Sequence, residues 1–300
     1  LLLFGLVPGM PNTLFLVGAF ISGTIAWFTA KNNQNMFLGG ILKKALVDKF
    51  QVTGGIGCSD TTISIARQMG SKIINKINPL ILNQESFSII ESGLFNKLNK
   101  NNNHDFDIIS EKAEKIIYKR SYKFHKQNLN TIKTLLTEEY YTWRYSSHPY
   151  FSYMITKLKF CNEDNDSGAI IWRFAQLNNG KKICRVVDID ISNIEFYEFI
   201  LINLIKELIY ELKKFSCDYI DCFTADNELI TTLKKIGWNY DIENLYPNLI
   251  DPVVKGKSLN AELFIKGENN YSSLDLKLFR GDGDADRPNR KSSLPKTLFL

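Results

Sequence analysis

The chain has 300 residues, of which 44% are apolar and 23% are charged, with a formal net charge of +5 at pH 7. This composition excludes a largely disordered chain, and it allows one large domain or two small ones. The positive charge comes mainly from scattered lysines, so we expect no nucleic-acid partner. Five cysteines without a C-x-x-C pair predict reduced thiols in the cytoplasm, and three histidines without ligand spacing predict no metal site.

Residues 1–30 carry no charged side chain. The apolar run from Thr13 to Ala30 comes close to the roughly 20 residues that a membrane helix needs, and no basic region precedes it as in a signal peptide. With Pro8 and Pro11 before it, the segment resembles the membrane part of the export-gate family of flagellar and type III secretion systems. Three alternatives stay open for residues 1–33: a fragment or chimera of such a protein, a single helix that anchors the chain to the inner membrane, or a buried hydrophobic hairpin in a soluble fold.

Two stretches of the chain share one pattern. Each contains a strand, a short helix and a closing glycine, at 51–70 in the first copy and at 217–237 in the second. A constant shift of 167 positions aligns the two copies without gaps and places Gly70 on Gly237. Glycine is favoured at this position because the residue after a helix often adopts a left-handed conformation. Two copies are too few for a solenoid, so we predict an α/β protein built from two related units.

A hairpin and a long helix precede the second copy. Apolar residues in Gly168–Phe174 and Lys182–Ile189, on either side of an Asn-Gly turn, predict two antiparallel strands. From Phe196 onward the apolar residues recur at helical spacing, which predicts a long amphipathic helix. Ser192 or Asn193 is the expected N-cap of this helix.

The region between the copies contains the predicted domain boundary. An asparagine-rich run at Asn99–Asn103 is typical of a turn or linker. We therefore divide the chain into a hydrophobic segment (1–33), a partial first unit (34–103) and a second domain (104–300). Soon after the linker, acidic residues in the first turn of Ser110–Tyr118 predict a helix.

The order of a long helix, a strand, a capped short helix and a Gly-aromatic pair resembles the C-terminal half of the GNAT acyltransferase fold. The endings KKIGW (234–238) and RQMGS (67–71) resemble the closing motif of that family. Two further segments, YYTWRYSSHPY (140–150) and RGDGDADRPN (280–289), are similar to segments of a GNAT subgroup encoded in surface-polysaccharide gene clusters. The resemblance covers residues 34–290. It implies a mixed, mostly antiparallel sheet flanked by helices, and acyl transfer from acetyl-CoA or another acyl-CoA to a small-molecule or sugar acceptor.

The resemblance also implies where the coenzyme binds. The family holds the pyrophosphate with a Q/R-x-x-G-x-G/A loop that opens a helix, where backbone N–H groups and the helix dipole attract phosphate. Here Gln34 matches the first position and Gly39 the last, whereas Phe37 replaces the first glycine and Gly40 follows the motif. Ser59 stands where the family often has a side chain that faces the coenzyme. The alternatives are an ordinary helix N-terminus at the loop and a plain N-cap at Ser59.

The second copy lacks such a loop, because no glycine follows Asp190 before the long helix. The first copy is therefore the expected coenzyme site, and the second is expected to shape the acceptor pocket. Since the first copy lacks the strands that normally precede the loop, a catalytically dead GNAT-like binding module is the alternative to an enzyme.

Aromatic and basic residues cluster before the strand predicted at 150–159. Trp143, Arg144 and Tyr145 could form a wall that binds a sugar or an anion, and an aromatic packing corner is the alternative. His148 is the candidate general base, because an imidazole has an ordinary pKa close to neutrality.

Three aspartates alternate near the end of the chain, at Asp282, Asp284 and Asp286. They do not form an EF-hand, since Arg287 and Ser293 replace the glycine and the glutamate that such a loop requires. Either these carboxylates bind an amino sugar, or they form an acidic loop that holds Arg287.

Overall fold

The computed structural model of the chain describes residues 44–46, 48–50, 52–56, 60–77, 79–90, 105–121, 131–176, 180–241, 259–265 and 275–282. The strands, in chain order, are β1 (Val52–Ile56), β2 (Lys72–Ile77), β3 (Leu80–Asn83), β4 (Phe106–Lys112), β5 (Thr131–Lys133), β6 (Met154–Phe160), β7 (Gly168–Gln176), β8 (Lys182–Ile191), β9 (Tyr219–Cys222), β10 (Asn239–Tyr240), β11 (Leu259–Ile265) and β12 (Asp275–Lys277). The helices are α1 (Asp60–Gln68), α2 (Gln84–Ile89), α3 (Glu138–Tyr141), α4 (Tyr197–Lys214) and α5 (Asn227–Lys235). A π-helical turn, Thr142–Ser146, follows α3, and a 3₁₀ turn, Arg280–Asp282, follows β12.

Most described strands join one seven-stranded sheet in the order β10-β3-β9-β8-β7-β6-β4. Neighbouring strands are antiparallel except for β8 and β9, which are parallel because α4 connects them as a crossover. The mixed, mostly antiparallel sheet flanked by helices that the resemblance implies is therefore confirmed. A smaller sheet has the order β1-β11-β2, and β5 pairs with β12.

Helix α4 forms the core on one face of the large sheet. Its apolar side chains pack with those of β6, β7 and β8, including Trp172, which is fully buried. The helix predicted from Phe196 is confirmed, but it is not capped by Ser192 or Asn193, because the first helical residue is Tyr197. The hydroxyl of Ser192 instead donates a hydrogen bond to the carbonyl of Ser167 at 3.0 Å. The other face is covered by a tyrosine-rich cluster containing Tyr118, Tyr141, Tyr145 and Tyr153.

The two copies of the repeated pattern exchange strands. The first copy is β1–α1–β2, and β11 inserts between its strands antiparallel to both. The second copy is β9–α5–β10, and β3 inserts there in the same way. The glycines that the shift aligns, Gly70 and Gly237, have φ of 80° and 101°, in the left-handed region that favours glycine. The next described strand after each copy, β3 or β11, therefore lies between the strands of the other copy.

We expect Leu82→Ala to lower the free energy of unfolding by about 2–5 kcal/mol, as for other large-to-small changes in well-packed cores. Leu82 is fully buried and pairs with Ile220 of β9, although β3 directly follows the first copy in the sequence. Urea unfolding followed by circular dichroism measures the change, with Ile194→Ala, at a side chain that is 57% exposed, as the matched control. A loss as small as that of the control would show that β3 does not support the large sheet.

The helix predicted at Ser110–Tyr118 is wrong, because β4 occupies Phe106–Lys112. Strand β4 pairs with β6 along its whole length, from Phe106 opposite Phe160 to Lys112 opposite Met154. Phe106 and Ile108 pack against the core around α4, and this alternation has the period of a strand. Pairing with a neighbouring strand thus outweighs the acidic residues that favour a helix start.

The predictions for the ends of the chain and for the domain boundary fall largely outside the described ranges. The hydrophobic segment 1–33 and the linker at 99–103 both lie there, so the predicted division into 1–33, 34–103 and 104–300 stays a prediction. In the part of the chain that the structure describes, no helix has the length and apolar character to cross a membrane.

Candidate functional site

Strands β8 and β9 part at the centre of the large sheet. They pair only from Ile183 to Val186 on β8, although β8 continues to Ile191. Beyond β9, Thr224 forms an antiparallel bridge with Phe279, and the N–H of Ala225 donates to the carbonyl of Leu278 at 3.0 Å. Residues 278–282 therefore occupy the opening between the two parallel strands, and we call residues 275–282 the C-terminal strap.

Strand β8 presents charged side chains on the face opposite α4. Arg185 pairs with Arg173 of β7, and Asp188 pairs with Ile171, so a bulge at Val187 lies between them. Without this bulge, Asp188 and Arg185 would point to opposite faces of the sheet. The bulge thus gathers Arg185, Asp188 and Asp190 on one face, and all three are at least nine-tenths buried.

Asp190 is held as a carboxylate. It accepts hydrogen bonds from the Tyr118 hydroxyl at 2.9 Å, from Nε of Arg120, and from Nζ of Lys133 at 3.1 Å. Burial acts to raise the pKa of Asp190, but the charges of Lys133 and Arg120 outweigh it and hold this pKa below its ordinary value.

Asp188 has the opposite character. Its carboxyl accepts a hydrogen bond from the Tyr145 hydroxyl at 2.9 Å. Burial, and next the negative charge of Asp282, raise the pKa of Asp188 well above its ordinary value. The pKa values of two carboxyl groups only two residues apart are therefore shifted in opposite directions. Environments that separate the pKa values of neighbouring acids are typical of acid–base sites.

The C-terminal strap packs directly on this cluster. The Arg280 side chain is fully buried, and its Nη2 donates to Oδ2 of Asp221 at 3.1 Å. The same Oδ2 accepts from Nη2 of Arg185 at 2.9 Å. A Cβ atom added at Gly281 would collide with the Tyr145 hydroxyl, so only glycine fits there without a shift.

Asp282 ends the strap beside Asp188. Its Oδ2 accepts the N–H of Phe279 at 2.7 Å, whereas its Oδ1 is buried and accepts no hydrogen bond from the described residues. Burial raises the pKa of Asp282, and the Thr134 side chain and the Phe279 N–H act against this rise. Burial therefore raises the pKa of both carboxyl groups at the strap.

The structure brings together two segments that are far apart in the sequence. Nε of Arg144 donates to the carbonyl of Gly281 at 3.1 Å, and Tyr145 reaches Asp188 next to the strap. These residues belong to the two segments, 140–150 and 280–289, that carry the subgroup resemblance. Of the predicted acceptor residues, Arg144, Tyr145 and Asp282 thus lie at one site.

The other predicted site residues lie elsewhere. Trp143 is 52% exposed and packs on the ring of Tyr140, with ring centroids 5.8 Å apart. Nδ1 of His148 accepts the backbone N–H groups of Tyr150 and Phe151 at 3.2 and 3.0 Å. In a neutral ring this leaves the proton on Nε2, which is then a donor rather than a base. Gln34, Gly39, Gly40, Ser59, Asp284 and Asp286 lie outside the described residues.

His148 also lines an open pocket on the surface beside Tyr145. The pocket is bordered by polar side chains and by the rings of two tyrosines and a phenylalanine, namely Lys112, Glu114, Tyr145, Ser146, His148, Phe151, Ser152 and Tyr153. Tyr145 contacts this pocket and, through its hydroxyl, the carboxyl of Asp188. The pocket therefore lies one side chain away from the carboxylate cluster.

Sequence reasoning missed Asp188, Asp190, Asp221 and Arg280. A signal for the first two exists in the run RVVDIDI of β8, where charged residues interrupt a strand that is otherwise apolar. Because β8 has neighbours on both sides, these carboxylates cannot be solvated as on an edge strand, and buried charges need partners. Asp221 carries a similar signal in the run YIDC of β9, whereas Arg280 carries none, since its pairing with Asp221 joins distant parts of the chain.

Comparisons with known proteins give only distant likenesses. No protein-family model matches the sequence, and no curated protein matches it significantly. Among solved structures, the chain is similar to a GCN5-related N-acetyltransferase from Anabaena variabilis, with a TM-score of 0.39 and 10% identity over 79% of this chain and 50% of that chain. It is also similar to a tandem GNAT protein from the clavulanic acid biosynthesis pathway, with a TM-score of 0.37 and 8% identity over 79% of this chain and 72% of that one.

This chain therefore spans about half the length of the first of these structures. The resemblances to the surface-polysaccharide subgroup and to the export-gate family gain no support from these likenesses.

Proposed function

We propose that this chain is a GNAT-like acyltransferase that uses an acyl-CoA, such as acetyl-CoA, to acylate an amine or hydroxyl group of a small acceptor such as an amino sugar. The observation that supports this proposal is the convergence of Arg144 and Tyr145 with the C-terminal strap at Asp188. Two carboxyl groups of contrasting pKa stand at this point, where parallel strands part.

Asp188 is the proposed general base. An acceptor amine or hydroxyl must lose a proton as it attacks a carbonyl carbon, and the raised pKa of Asp188 makes its carboxylate a stronger base for that proton. The Tyr145 hydroxyl orients the carboxyl through its hydrogen bond to Oδ2. Asp190 stays ionised and neutralises part of the positive charge of Lys133 and Arg120, with which it forms ion pairs.

The opening between β8 and β9 does not fit an acyl-CoA in this conformation, because the C-terminal strap fills it. Helix α4 also begins without a glycine loop. Gln34, Gly39, Gly40 and Ser59 of the first copy remain the proposed coenzyme residues. The filled opening also favours a second candidate function, a GNAT-like module that binds a ligand without turnover.

Calorimetric titration of the full chain with acetyl-CoA tests the proposal. We expect micromolar binding by the wild type, and at least a roughly tenfold weaker affinity, about 1.4 kcal/mol, for Gly39→Asp, because its carboxylate would repel phosphate. Asp188→Asn is the matched control and should bind with unchanged affinity. If the wild type is folded by circular dichroism but does not bind acetyl-CoA, the acyltransferase proposal is overturned. Binding without transfer of the acyl group to any amine or hydroxyl acceptor would favour the non-catalytic module.

A further inference from the structure

The open pocket that His148 lines is built on segments that hydrogen bonds hold in place. The turn after β4 is closed by the N–H of Lys115, which donates to the carbonyl of Lys112 at 2.9 Å. The N–H of Ala113 joins this turn to the loop before β6, because it donates to the carbonyl of Tyr153 at 2.9 Å. Within that loop, Nδ1 of His148 accepts two backbone N–H groups. The polar side chains at the pocket therefore stand on a fixed backbone.

The aromatic rings of the pocket are already packed against other protein groups. The ring of Phe151 stacks on that of His148, with centroids 5.2 Å apart and planes 9° apart, and the guanidinium of Arg173 lies 3.9 Å from the Phe151 centroid. Tyr145 and Tyr153 are each only 1% exposed. A ligand therefore finds little ring surface on which to stack, and polar groups must provide its recognition.

Two side chains of opposite charge border the pocket. Lys112 and Glu114 both line it, yet neither forms an ion pair with any residue that the structure describes. The neighbouring Glu111 is engaged differently, since its carboxylate pairs with Nζ of Lys115 at 3.5 Å and accepts the backbone N–H of Lys112 at 2.9 Å. The pocket thus offers one positive and one negative group to a ligand.

Hydroxyl groups and a small volume narrow the class of ligand further. Ser146 and Ser152 also line the pocket, and their hydroxyls form no hydrogen bond within the described ranges. Counted to its open mouth, the pocket encloses about 430 Å³, near the lower end of the range of roughly 300–1,000 Å³ for small-molecule sites. This volume suits a ligand of amino-acid size better than a nucleotide-linked sugar.

We propose that this pocket binds a small zwitterion of the amino-acid type, whose carboxylate contacts Lys112 and whose ammonium group contacts Glu114, with the two serine hydroxyls as further partners. Both charged contacts are charge-assisted hydrogen bonds, which are stronger than those between neutral groups. Such binding needs no coenzyme and does not depend on the proposed acyl transfer. A bound zwitterion still lies close to the carboxylate cluster, because Tyr145 borders the pocket and donates to Asp188.

Ligand-observed NMR titration of the full chain tests the site. The zwitterionic probes are L-serine and β-alanine, which differ in the distance between their charged groups. L-glycerate lacks the ammonium group of L-serine, and L-serine methyl ester lacks its carboxylate. We expect a dissociation constant of about 1 mM or lower for at least one zwitterion, and at least roughly tenfold weaker binding of each singly charged probe, since it loses one charged contact. Binding of L-glycerate as tight as that of both zwitterions, or no binding of either zwitterion, would overturn the proposal.

Variants that remove one charge assign the two contacts. Lys112→Gln should weaken binding of the zwitterion at least roughly tenfold and leave that of L-serine methyl ester unchanged, whereas Glu114→Gln should weaken it equally and leave that of L-glycerate unchanged. Lys115→Gln and Glu111→Gln are the matched controls: they remove the same charges at the same end of β4 but outside the pocket, so they should bind the zwitterion as the wild type does. None of the four side chains is buried, so each variant should stay folded by circular dichroism. Equal losses in the controls would contradict the site, because binding would then follow the general surface charge.

Discussion

Replacing Asp221 by alanine is expected to lower the free energy of unfolding by about 3–5 kcal/mol, the range found when one partner of a buried ion pair is removed. Oδ2 of Asp221 accepts hydrogen bonds from Arg185 at 2.9 and 3.2 Å and from Arg280 at 3.1 Å. Both arginines are fully buried. Loss of the carboxylate leaves two positive charges close together without the anion they share. Thermal and chemical unfolding both measure this effect.

The matched control for Asp221→Ala is Glu198→Ala. Glu198 pairs with Lys235 at 3.3 Å, but the two side chains are 43% and 60% exposed. An exposed ion pair contributes little, so this variant should change the stability by no more than about 0.5 kcal/mol. If Asp221→Ala loses less than about 1 kcal/mol, the buried arginines do not depend on that carboxylate.

The parts of the fold that depend on local sequence could be predicted. Helix α4 follows from its apolar spacing, and α5 begins where Asp226 caps it by accepting the N–H groups of Glu228 and Leu229. Gly70 and Gly237 end α1 and α5 with positive φ, as the repeat indicates. In each case the deciding interaction lies within a few residues of the chain.

The exchanged strands could not be predicted, because their partners lie far away in the sequence. Nothing within Leu80–Asn83 indicates that it pairs with β9, about 140 residues later, and nothing in Leu259–Ile265 indicates β1. The same holds for β4, whose pairing with β6 overrides a local helix signal.

Only some residues of the candidate site could be predicted from the sequence, for a similar reason. Arg144, Tyr145 and Asp282 could be predicted, because they lie in an aromatic and basic cluster and in a run of alternating aspartates that both resemble segments of a known family. Asp188 lies in a strand whose alternation is interrupted at Val187, and only the pairing with β7 shows which face it occupies. A bulge changes the face of every later residue in the strand. The site therefore depends on one pairing detail that the sequence does not display.

Asp188→Asn is expected to lower the rate of acyl transfer to an amine by about 10²- to 10⁴-fold, the usual contribution of a general base. The amide keeps the size of the side chain and can still accept the hydrogen bond from Tyr145, but it cannot take up a proton. Release of free thiol from acetyl-CoA, measured with amino-sugar acceptors, gives kcat and KM. The fall should appear in kcat, with KM nearly unchanged. An unchanged kcat would remove Asp188 from the chemistry.

The pH dependence of stability separates this loss of rate from a loss of folding. The pKa of Asp188 is raised in the folded protein, so the wild type loses stability as the pH rises from the ordinary carboxyl range through the raised pKa. Asp188→Asn has no such proton to lose, and it should gain stability relative to the wild type as the pH rises.

Asp190 has a lowered pKa, so its contribution to stability is present above the ordinary carboxyl range and is lost as the pH falls. Asp190→Asn should therefore be most destabilised near neutrality and least in acid. If the stabilities of the two variants change with pH in the same direction, the two carboxyl groups do not have opposite environments. If the stabilities change in opposite directions, and Asp188→Asn is stable but has a low kcat, the lost rate is due to proton transfer.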